Sequence, residues 1–499
     1  MAELQRHFLK NILFSSNAFI IRIILNFLFI PYITSTFGSS RYGIWVIIFQ
    51  TVSYFTLFDF GINSALTRYV SKAFAKKDFQ SVNKTLATSN LVYFIIGTIV
   101  GLLVYLFAEF YFHIFNITSP ELLAEGKTAL ILLGLFLSFQ FYMMAFGNSH
   151  GAFQRLDISK NLLALEEICR IGIMAILLYM GYGLIALALT ILGTTILRSL
   201  AGIYWLKKIH PEIKFSFTFD SQSAKQLFGY SKITFFISLC WLILYGSDSF
   251  ILGLLSTTAA AGVYAPGAQL MLYIRNIINV IGVPLIPAIS HLESQESFER
   301  IQIIYMKGIK YISYLSFALT TSVLFFAQPF VELWLDSQFA ETTDVMKILA
   351  LGTAFFLPQI IGNSILFGCE QHKIILKVVI VETIMKLILV IFLVPLFGIV
   401  GMAIANAVPQ IILYTTMYPY LIGKVLKISY SRIVYEILKT ASLGMFSAYI
   451  VSTLLRKYFL IPSWGAFIWQ TLIIVVVILT VGYLILEKDD RKMLKEFIK

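Results

Sequence analysis

Three charged side chains lie inside a stretch of sequence that otherwise has the composition of a membrane-spanning helix. The stretch LLALEEICRIGIMAILL contains Glu166, Glu167 and Arg170. Ionisable side chains are costly in hydrocarbon, by about 2.5–3.5 kcal/mol each on insertion scales, so they usually face a cavity, a partner or a transport pathway. The chemistry open to this stretch is therefore the binding of an anion, a cation or a proton, or structural pairing of the charges.

The spacing of these charges predicts two ion pairs, each on one helix. Glu166 precedes Arg170 by four residues, and Glu382 precedes Lys386 by four, which is the better orientation for a helical pair. Two interpretations stay open, namely structural pairing and a role as cavity lining or as a charge-coupling gate. Glu167 is left without a partner of its own, because Glu166 shares Arg170. A lone carboxylate in apolar surroundings favours its protonated form, so Glu167 is the better candidate for proton coupling.

Two further arginines lie near the centres of apolar stretches. Arg22 lies in RIILNFLF and Arg275 in MLYIRNIINVI, and neither has an oppositely charged residue three or four positions away. Each could bind helix-end carbonyl groups or a remote carboxylate. Asp59 and Asp248 are candidates for that carboxylate, and either is alternatively a candidate cation or proton site.

The elements that position these residues are predicted from composition. Hydrophobic residues make up 59% of the chain, charged residues only 13%, and the mean hydropathy is +0.84, whereas a soluble domain has about 25% charged residues. Apolar runs long enough to cross about 30 Å of hydrocarbon recur along the chain. The sequence therefore predicts an all-α integral membrane protein with about fourteen spans. The predicted spans are 12–36, 43–65, 88–112, 128–147, 161–181, 183–206, 229–254, 262–288, 311–335, 346–368, 374–396, 398–421, 435–455 and 464–486.

The distribution of positive charge predicts the orientation. About 27 Lys and Arg residues fall on one side of the membrane and about five on the other, which places both termini inside. A basic loop at 68–84 and the tail at 487–499 carry much of this excess, so the net charge of +12 indicates topology and lipid contact rather than nucleic acid. Arg198 and Lys232 lie near inside-facing helix ends, where long side chains are expected to snorkel to water.

The sequence contains no motif for a metal or a cofactor. The three cysteines, Cys169, Cys240 and Cys369, are scattered, without a C-x-x-C pair, and are expected to be small buried residues. A P-loop, an H-E-x-x-H motif and a G-x-S-x-G motif are also lacking, so an ATP-driven pump is not supported within this chain.

The chain repeats itself at a spacing of about 215 residues. FGNSHGAFQRLDISKNLLALEEICRIG aligns without a gap with IGNSILFGCEQHKIILKVVIVETIMKL. The repeat predicts two six-helix units that enter the membrane in the same orientation, so their pseudo-two-fold axis runs along the membrane normal. The matched positions are Gly147-Asn148-Ser149 with Gly362-Asn363-Ser364, Glu167 with Glu382, Gly183 with Gly398, and Ala188 with Ala403.

This repeat divides the chain into four predicted parts. An N-terminal six-helix lobe covers 1–209, and a cytoplasmic linker covers 210–228. A C-terminal six-helix lobe covers 229–424. A second linker and helices 13 and 14, with the basic tail, cover 425–499.

The predicted arrangement of two six-helix units followed by two further helices is typical of a known family. The order of FGSSRYGIW, FDFGINSALTRYVSKA, GSDSFILGLLSTTAAAGVYAPGAQL and ILFGCEQHKI adds to this resemblance. The chain resembles the multidrug/oligosaccharidyl-lipid/polysaccharide exporter superfamily over its whole length, and within it most the bacterial polysaccharide-unit flippases of the Wzx or O-antigen type. The turn TTAAAG departs from relatives, which often have a glycine there.

The resemblance implies a function and a location. Such proteins flip polyprenyl-diphosphate-linked oligosaccharides from the inner to the outer leaflet of the bacterial cytoplasmic membrane, for O-antigen, lipopolysaccharide or capsule-like polymers. Alternating access of two lobes is the implied mechanism, without a cofactor but with possible coupling to H⁺, Na⁺ or the membrane potential. Membrane lipids and other polysaccharide assembly proteins are the implied partners.

The resemblance also implies that helices 1, 2, 7 and 8 line a central cavity. Arg22 and Arg275 are then candidate contacts of the diphosphate, because the guanidinium group matches phosphate oxygens with paired hydrogen bonds. Arg170 and Lys386 are further candidates for the headgroup or glycan. The candidate coupling or cavity carboxylates are Glu167, Glu166, Glu382, Asp59 and Asp248.

Three alternatives stay open. A flippase for lipid II or another cell-envelope precursor would have a similar cationic cavity. A drug or metabolite exporter usually has twelve helices, so helices 13 and 14 argue against it. A membrane-embedded polysaccharide polymerase or glycosyltransferase would need a sizeable outside loop, and the nearest candidate, 112–127, is short.

Overall fold

The computed structural model of the chain describes residues 2–111, 114–115, 117, 119–147, 149–153, 155–230, 232–282, 285–487 and 490–491. Within these residues all regular secondary structure is helical. The helices are α1 Ala2–Tyr54, α2 Ile62–Ala75, α3 Phe79–Tyr111, α4 Pro120–Gly147, α5 Leu156–Tyr179, α6 Leu184–Ile209, α7 Ser221–Tyr230, α8 Lys232–Gly246, α9 Asp248–Leu255, α10 Thr258–Gly282, α11 Leu285–Ser294, α12 Phe298–Trp334, α13 Thr342–Phe356, α14 Gln359–Gly368, α15 His372–Thr415, α16 Met417–Leu426, α17 Tyr430–Tyr458 and α18 Trp464–Ile485.

Two of the long helices are interrupted at glycine. In α1, Gly38 has φ 68° and ψ 176°, and in α15, Gly398 has φ 54° and ψ −126°. Positive φ is accessible to glycine at little cost, because glycine has no Cβ. These kinks coincide with the predicted ends of spans 1 and 11, so a glycine marks each of those boundaries.

Eight helices in the described part of the chain are long and apolar enough to cross a membrane, and ten if two bent pairs each count as one span. The bent pairs are Phe235–Gly246 with Asp248–Leu255, at 56°, and Ser337–Phe356 with Gln359–Gly368, at 46°. The predicted all-α membrane architecture is confirmed, but the count of fourteen is not and stays a prediction. Two predicted spans merge in Ile20–Asp59 and two in His372–Leu426.

The predicted basic loop at 68–84 is largely helical, because α2 continues to Ala75 and α3 begins at Phe79. The sequence 62–75 is amphipathic, and it buries Ile62, Ala65, Leu66 and Val70 on one face. Its two basic residues, Arg68 and Lys72, are exposed, which explains why charge density alone suggested a loop.

The predicted linker at 210–228 is fixed to α3. Asn83 donates to the carbonyl oxygen of Glu212 at 3.0 Å and accepts from the backbone N–H of Lys214 at 2.8 Å. Farther along, the backbone N–H of Asp220 donates to Thr88 Oγ1 at 3.0 Å. The linker then becomes α7, so it is an extended segment followed by a helix.

Contacts divide the chain into two compact units, Met1–Gly262 and Val263–Lys499. In the first unit α4 packs against α3 and α6, and α1 packs against α5. In the second unit α12 packs against α13, α17 and α18. The predicted lobe boundaries are defined by an internal repeat, which a division by contacts does not test, so they stay a prediction.

Candidate functional site

The carboxylate of Glu167 lies between α5 and α1. It accepts a hydrogen bond from Asn26 Nδ2 at 2.6 Å and forms an ion pair with Arg170. Asn26 follows Arg22 by one helical turn and also donates to the Arg22 carbonyl oxygen at 2.9 Å. The prediction that Glu167 lacks a partner is therefore wrong. One partner is three residues along its own helix, and the other is an amide that α1 brings from 141 positions away in the chain.

Glu166 faces α6. Its Oε2 lies 2.7 Å from Arg198 Nε, and its Oε1 accepts from Thr195 Oγ1 at 2.7 Å. The side chains of Glu166 and Arg198 are only 7% and 11% exposed. The predicted pairing of Glu166 with Arg170 is wrong, and so is the prediction that Arg198 snorkels to water. Consecutive helical residues point about 100° apart, so the two glutamates of α5 face different neighbouring helices.

Arg22, on α1, is exposed, one turn before the Asn26–Glu167 hydrogen bond. Its predicted contact with an anionic headgroup stays a prediction. Lys232 begins α8, but its side chain lies outside the described part of the structure, as does Asn148 of the repeat.

A second cluster of charges is buried on α15. Glu382 is 1% exposed and Lys386 is fully buried. Tyr414 donates to Glu382 Oε2 at 2.8 Å, and the side chain of Gln410 lies close to Glu382. Arg275 and Lys386 are both close enough to act on the Glu382 carboxylate electrostatically. The structure thus brings Arg275 close to Glu382 and Lys386, which the sequence had singled out as a pair.

Arg275 is 7% exposed and is bound by side chains of two other helices. One of its terminal nitrogens lies 3.1 Å from Thr353 Oγ1 and 2.9 Å from Gln410 Oε1. Its guanidinium carbon lies 5.0 Å from the centre of the Phe356 ring, within the range of a cation–π interaction. Gln410 therefore contacts Arg275 and lies beside Glu382.

The hydrogen-bonded network extends beyond the charged groups. Gln359 is fully buried, accepts from the hydroxyl of Tyr305 at 3.1 Å and lies 3.5 Å from the carbonyl oxygen of Tyr414. The hydroxyl of Tyr418 lies 3.3 Å from the carbonyl oxygen of Gln359. Such a network of donors and acceptors around two cations and one carboxylate can hold an anion or move a proton.

Matching positions of the repeat place a polar side chain near a glutamate in each cluster, but the glutamates themselves do not match. Thr195 on α6 donates to Glu166, whereas Gln410 on α15 lies near Glu382, which is the counterpart of Glu167. Thr195 and Gln410 are separated by the repeat spacing of about 215 residues. Sequence reasoning did not single out either residue, although each is a polar side chain in an apolar helix, in TTILRSL and in AVPQIILYT.

The two candidate aspartates are bound within the first unit. Asp59 ends the 3-10 turn Phe55–Asp59 and accepts hydrogen bonds from the hydroxyl of Tyr93 and from the backbone N–H of Asn63, the latter at 3.1 Å. Asp248 is 7% exposed and begins α9, where the helix dipole favours a carboxylate. Their predicted roles as cation or proton sites stay predictions.

An ion pair that the sequence did not predict caps α6. Arg41 forms three hydrogen bonds with Glu125. Its Nε donates to Oε2 at 3.0 Å, and one terminal nitrogen donates to Oε1 at 2.6 Å and to Oε2 at 2.7 Å. The same Oε1 accepts from the backbone N–H of Leu184 at 2.6 Å. A Cβ on Gly183 would lie 1.8 Å from this oxygen, so the glycine leaves the space that the pair occupies. Among the described residues, no group of three His, Cys, Asp or Glu side chains could hold a metal ion.

Comparison with known proteins identifies the family. A family model described as "Polysaccharide biosynthesis protein" matches residues 8–293, more than half of the chain. The chain belongs to this family. The uncharacterized membrane protein EpsK of Bacillus subtilis (strain 168) is 22% identical over 273 residues. That match spans 53% of this chain and 53% of EpsK, so it covers about half of each protein.

Solved structures show which fold this family member has. An inward-facing multidrug resistance MATE family transporter of the MOP superfamily matches with a TM-score of 0.62 at 13% identity, over 82% of this chain and 99% of that one. A MOP superfamily transporter from Pyrococcus furiosus matches with a TM-score of 0.52 at 12% identity, over 90% of this chain and 96% of that one. A mutant of the Vibrio cholerae MATE transporter VcmN matches with a TM-score of 0.56 at 14% identity, over 84% of this chain and 97% of that one. The predicted resemblance to the exporter superfamily is confirmed.

Proposed function

We propose that this protein is a flippase that moves polyprenyl-diphosphate-linked oligosaccharide units from the inner to the outer leaflet of a bacterial cytoplasmic membrane. The combination of a polysaccharide biosynthesis family with the fold of MOP superfamily transporters carries this proposal. Polymer synthesis at a cell surface requires a step in which the lipid-linked unit crosses the membrane, and a transporter fold is suited to that step. Alternating access and cytoplasmic termini are part of the proposal.

The buried cluster of the second unit supports binding of a diphosphate. Arg275 and Lys386 carry two positive charges against the single carboxylate of Glu382, so the cluster has an excess of one positive charge when all three are ionised. An anion gains most from such a charge excess where water is scarce. Arg275 can offer paired hydrogen bonds to phosphate oxygens. Arg22, in the first unit, stays a separate candidate for contact with an anionic headgroup.

Glu382 supports a coupling role within the same proposal. Protonation of its carboxylate would raise the net charge of the cluster by one and strengthen its hold on an anion, and deprotonation would weaken that hold. Glu167 has less claim to this role than its sequence suggested, because it is bound by both Arg170 and Asn26. Proton coupling through Glu382 requires that Glu382→Gln removes the response of transport to a pH gradient.

Deletion of the gene followed by leaflet-resolved analysis of lipid-linked oligosaccharide tests the proposed function. The expected result is accumulation of the complete unit in the inner leaflet, with no surface polymer. Accumulation of lipid II instead would identify the cell-envelope precursor flippase. Normal flipping with single, unjoined units outside would contradict the proposal and indicate a polymerase. Re-expression of the wild-type chain is the control for each outcome.

A further inference from the structure

A polar cavity of about 400 Å³ lies in the second unit, apart from the charged cluster on α15. Its walls come from the beginning of α12, from the first turns of α17 with the residue Ile428 before it, and from Glu487 just after α18. It is lined by Gln302, Ile303, Met306, Lys307, Lys310, Ile428, Arg432, Glu436, Lys439 and Glu487. Four of these side chains are basic and two are acidic.

The two basic residues of α12 are neutralised by the chain that follows α18. Lys307 lies 3.3 Å from Glu487 and 2.8 Å from Asp490, and Lys310 lies 3.3 Å from Glu487. These contacts hold the end of α18 against α12. They leave Arg432 and Lys439 as the cations that can serve a ligand.

Arg432 and Lys439 lie on α17, two helical turns apart, with Glu436 between them. Both are exposed, and neither forms an ion pair with any residue that the structure describes. Two cations that line one cavity without carboxylate partners favour an anion with several oxygen atoms, and phosphate is the commonest such group at a membrane surface.

The surroundings of the cavity are apolar. Ile303 in its wall is 55% exposed, and Tyr435 and Leu438, on α17 beside it, are 64% and 54% exposed. A free phosphate ion would gain nothing from these side chains, whereas the acyl chains of a lipid would pack against them. The charge distribution of the sequence places this end of α12, α17 and α18 on the cytoplasmic side, where anionic lipids attract basic groups.

We propose that this cavity binds the phosphate headgroup of an anionic phospholipid, with Arg432 and Lys439 as the phosphate contacts. The lipid bridges α12 and α17 at the place where the end of α18 is attached. This site shares no residue with the cluster assigned to the transported substrate, so the inference does not rest on the proposed function. Glu436 opposes an anion, and it therefore limits the affinity of the site.

The test measures lipid binding to the purified, delipidated full-length protein by native mass spectrometry. The probes are dioleoyl-phosphatidylglycerol, with dioleoyl-phosphatidylcholine for comparison. We expect the double variant Arg432→Gln, Lys439→Gln to bind phosphatidylglycerol about thirtyfold more weakly, since each basic side chain contributes about 1 kcal/mol near a charged lipid. The matched control is Lys373→Gln, Lys377→Gln, which removes two exposed basic residues of α15 that lie outside the cavity. Equal losses in the two double variants, or no loss, would overturn the site.

Two further arms keep the test decisive. Glu436→Gln is expected to strengthen phosphatidylglycerol binding severalfold, a gain that misfolding cannot produce, and unchanged or weaker binding would overturn the assignment of charges. Millimolar inorganic phosphate is expected to leave the bound phosphatidylglycerol in place. If phosphate displaces the lipid, the site recognises a soluble anion, and the lipid proposal fails.

Discussion

Glu166 of α5 and Arg198 of α6 form an ion pair of 2.7 Å in which both side chains are almost completely buried. Thr195 donates to the same carboxylate, so both carboxylate oxygens have partners. A buried pair of this kind offsets the cost of placing each charge in an apolar region, but only while both members are present. The pair therefore stabilises the contact between α5 and α6 only while Arg198 balances the charge of Glu166.

Arg198→Ala is expected to destabilise the protein by about 3–5 kcal/mol, because it leaves a buried carboxylate without its cation. Denaturant titration of the protein in detergent measures this loss of stability. The double variant Glu166→Gln, Arg198→Met should recover most of the stability, since it removes both charges. Arg170→Ala is the comparison, with a smaller expected loss, because Arg170 is 21% exposed and Glu167 retains Asn26. Equal losses for Arg198→Ala and Arg170→Ala would contradict this account.

Gly183→Ala is expected to cost about 1–2 kcal/mol of stability, the size of a lost helix cap. The new methyl group would displace Glu125 and Arg41 and so weaken the cap on α6. Gly193→Ala on the same helix is the matched control, because no atom lies within 4 Å of its added Cβ. Alanine is favoured over glycine inside a helix, so Gly193→Ala should be neutral or slightly stabilising. Thermal unfolding of the two variants side by side decides the matter.

Gly398→Ala is expected to cost about 1–3 kcal/mol through backbone strain alone. An added Cβ at Gly398 meets no atom within 4 Å, but its φ of 54° disfavours any other residue. Gly172→Ala in α5 also meets open space, without the positive φ. A loss of thermal stability in Gly398→Ala that is absent in Gly172→Ala would identify the strain. Similar midpoints for both would show that the kink in α15 tolerates a side chain.

Arg275→Ala is expected to abolish export at normal membrane levels, whereas Arg275→Lys should retain part of the activity. Lysine keeps the positive charge but cannot contact Thr353 and Gln410 or a diphosphate with a planar fork. The measurement is surface polymer per unit of folded protein in the deletion strain. Thr353→Val removes one neighbour of Arg275 without changing the charge, and it serves as the control for local packing. Full export by Arg275→Ala would exclude the assignment.

The contact between Asp490 and α12 predicts a dependence on pH. Burial tends to raise the pKa of Asp490, but the hydrogen bonds from Lys307 and Tyr311 outweigh burial and hold the pKa below its usual value of 3.8. The stability from this carboxylate is present above the pKa of the unfolded chain and is lost as pH falls through the lower folded pKa. Thermal unfolding midpoints of the wild type should therefore approach those of Asp490→Asn only below about pH 4. A difference that disappears between about pH 5 and 8 would contradict this.

The fold class followed from composition, because long apolar runs have few alternatives to membrane helices. The number of spans did not follow in the same way. Gly38 and Gly398 mark predicted span boundaries, yet the helix continues on both sides of each. A hydropathy pattern reports which residues avoid water, whereas a kink is a property of one residue's backbone angles.

The sequence predicted which charged residues belong to the candidate site, but not which residues bind one another. Spacing along one helix indicated that Glu166 and Arg170 can meet, but it carries no information about the neighbouring helices. Arg198 and Asn26 come from those neighbours, and they bind Glu166 and Glu167 respectively. The polar residues of α6 and α15 could have been noticed as exceptions in apolar helices, although their partners could not.

Gly183 and Gly398 occupy matching positions of the repeat and carry the same residue for unrelated reasons. At Gly183 the neighbours fill the room that a side chain would need, and at Gly398 the room is free but the backbone angle is wrong for a side chain. Identity between the two halves at this point therefore does not mean that the same physical constraint acts at both positions.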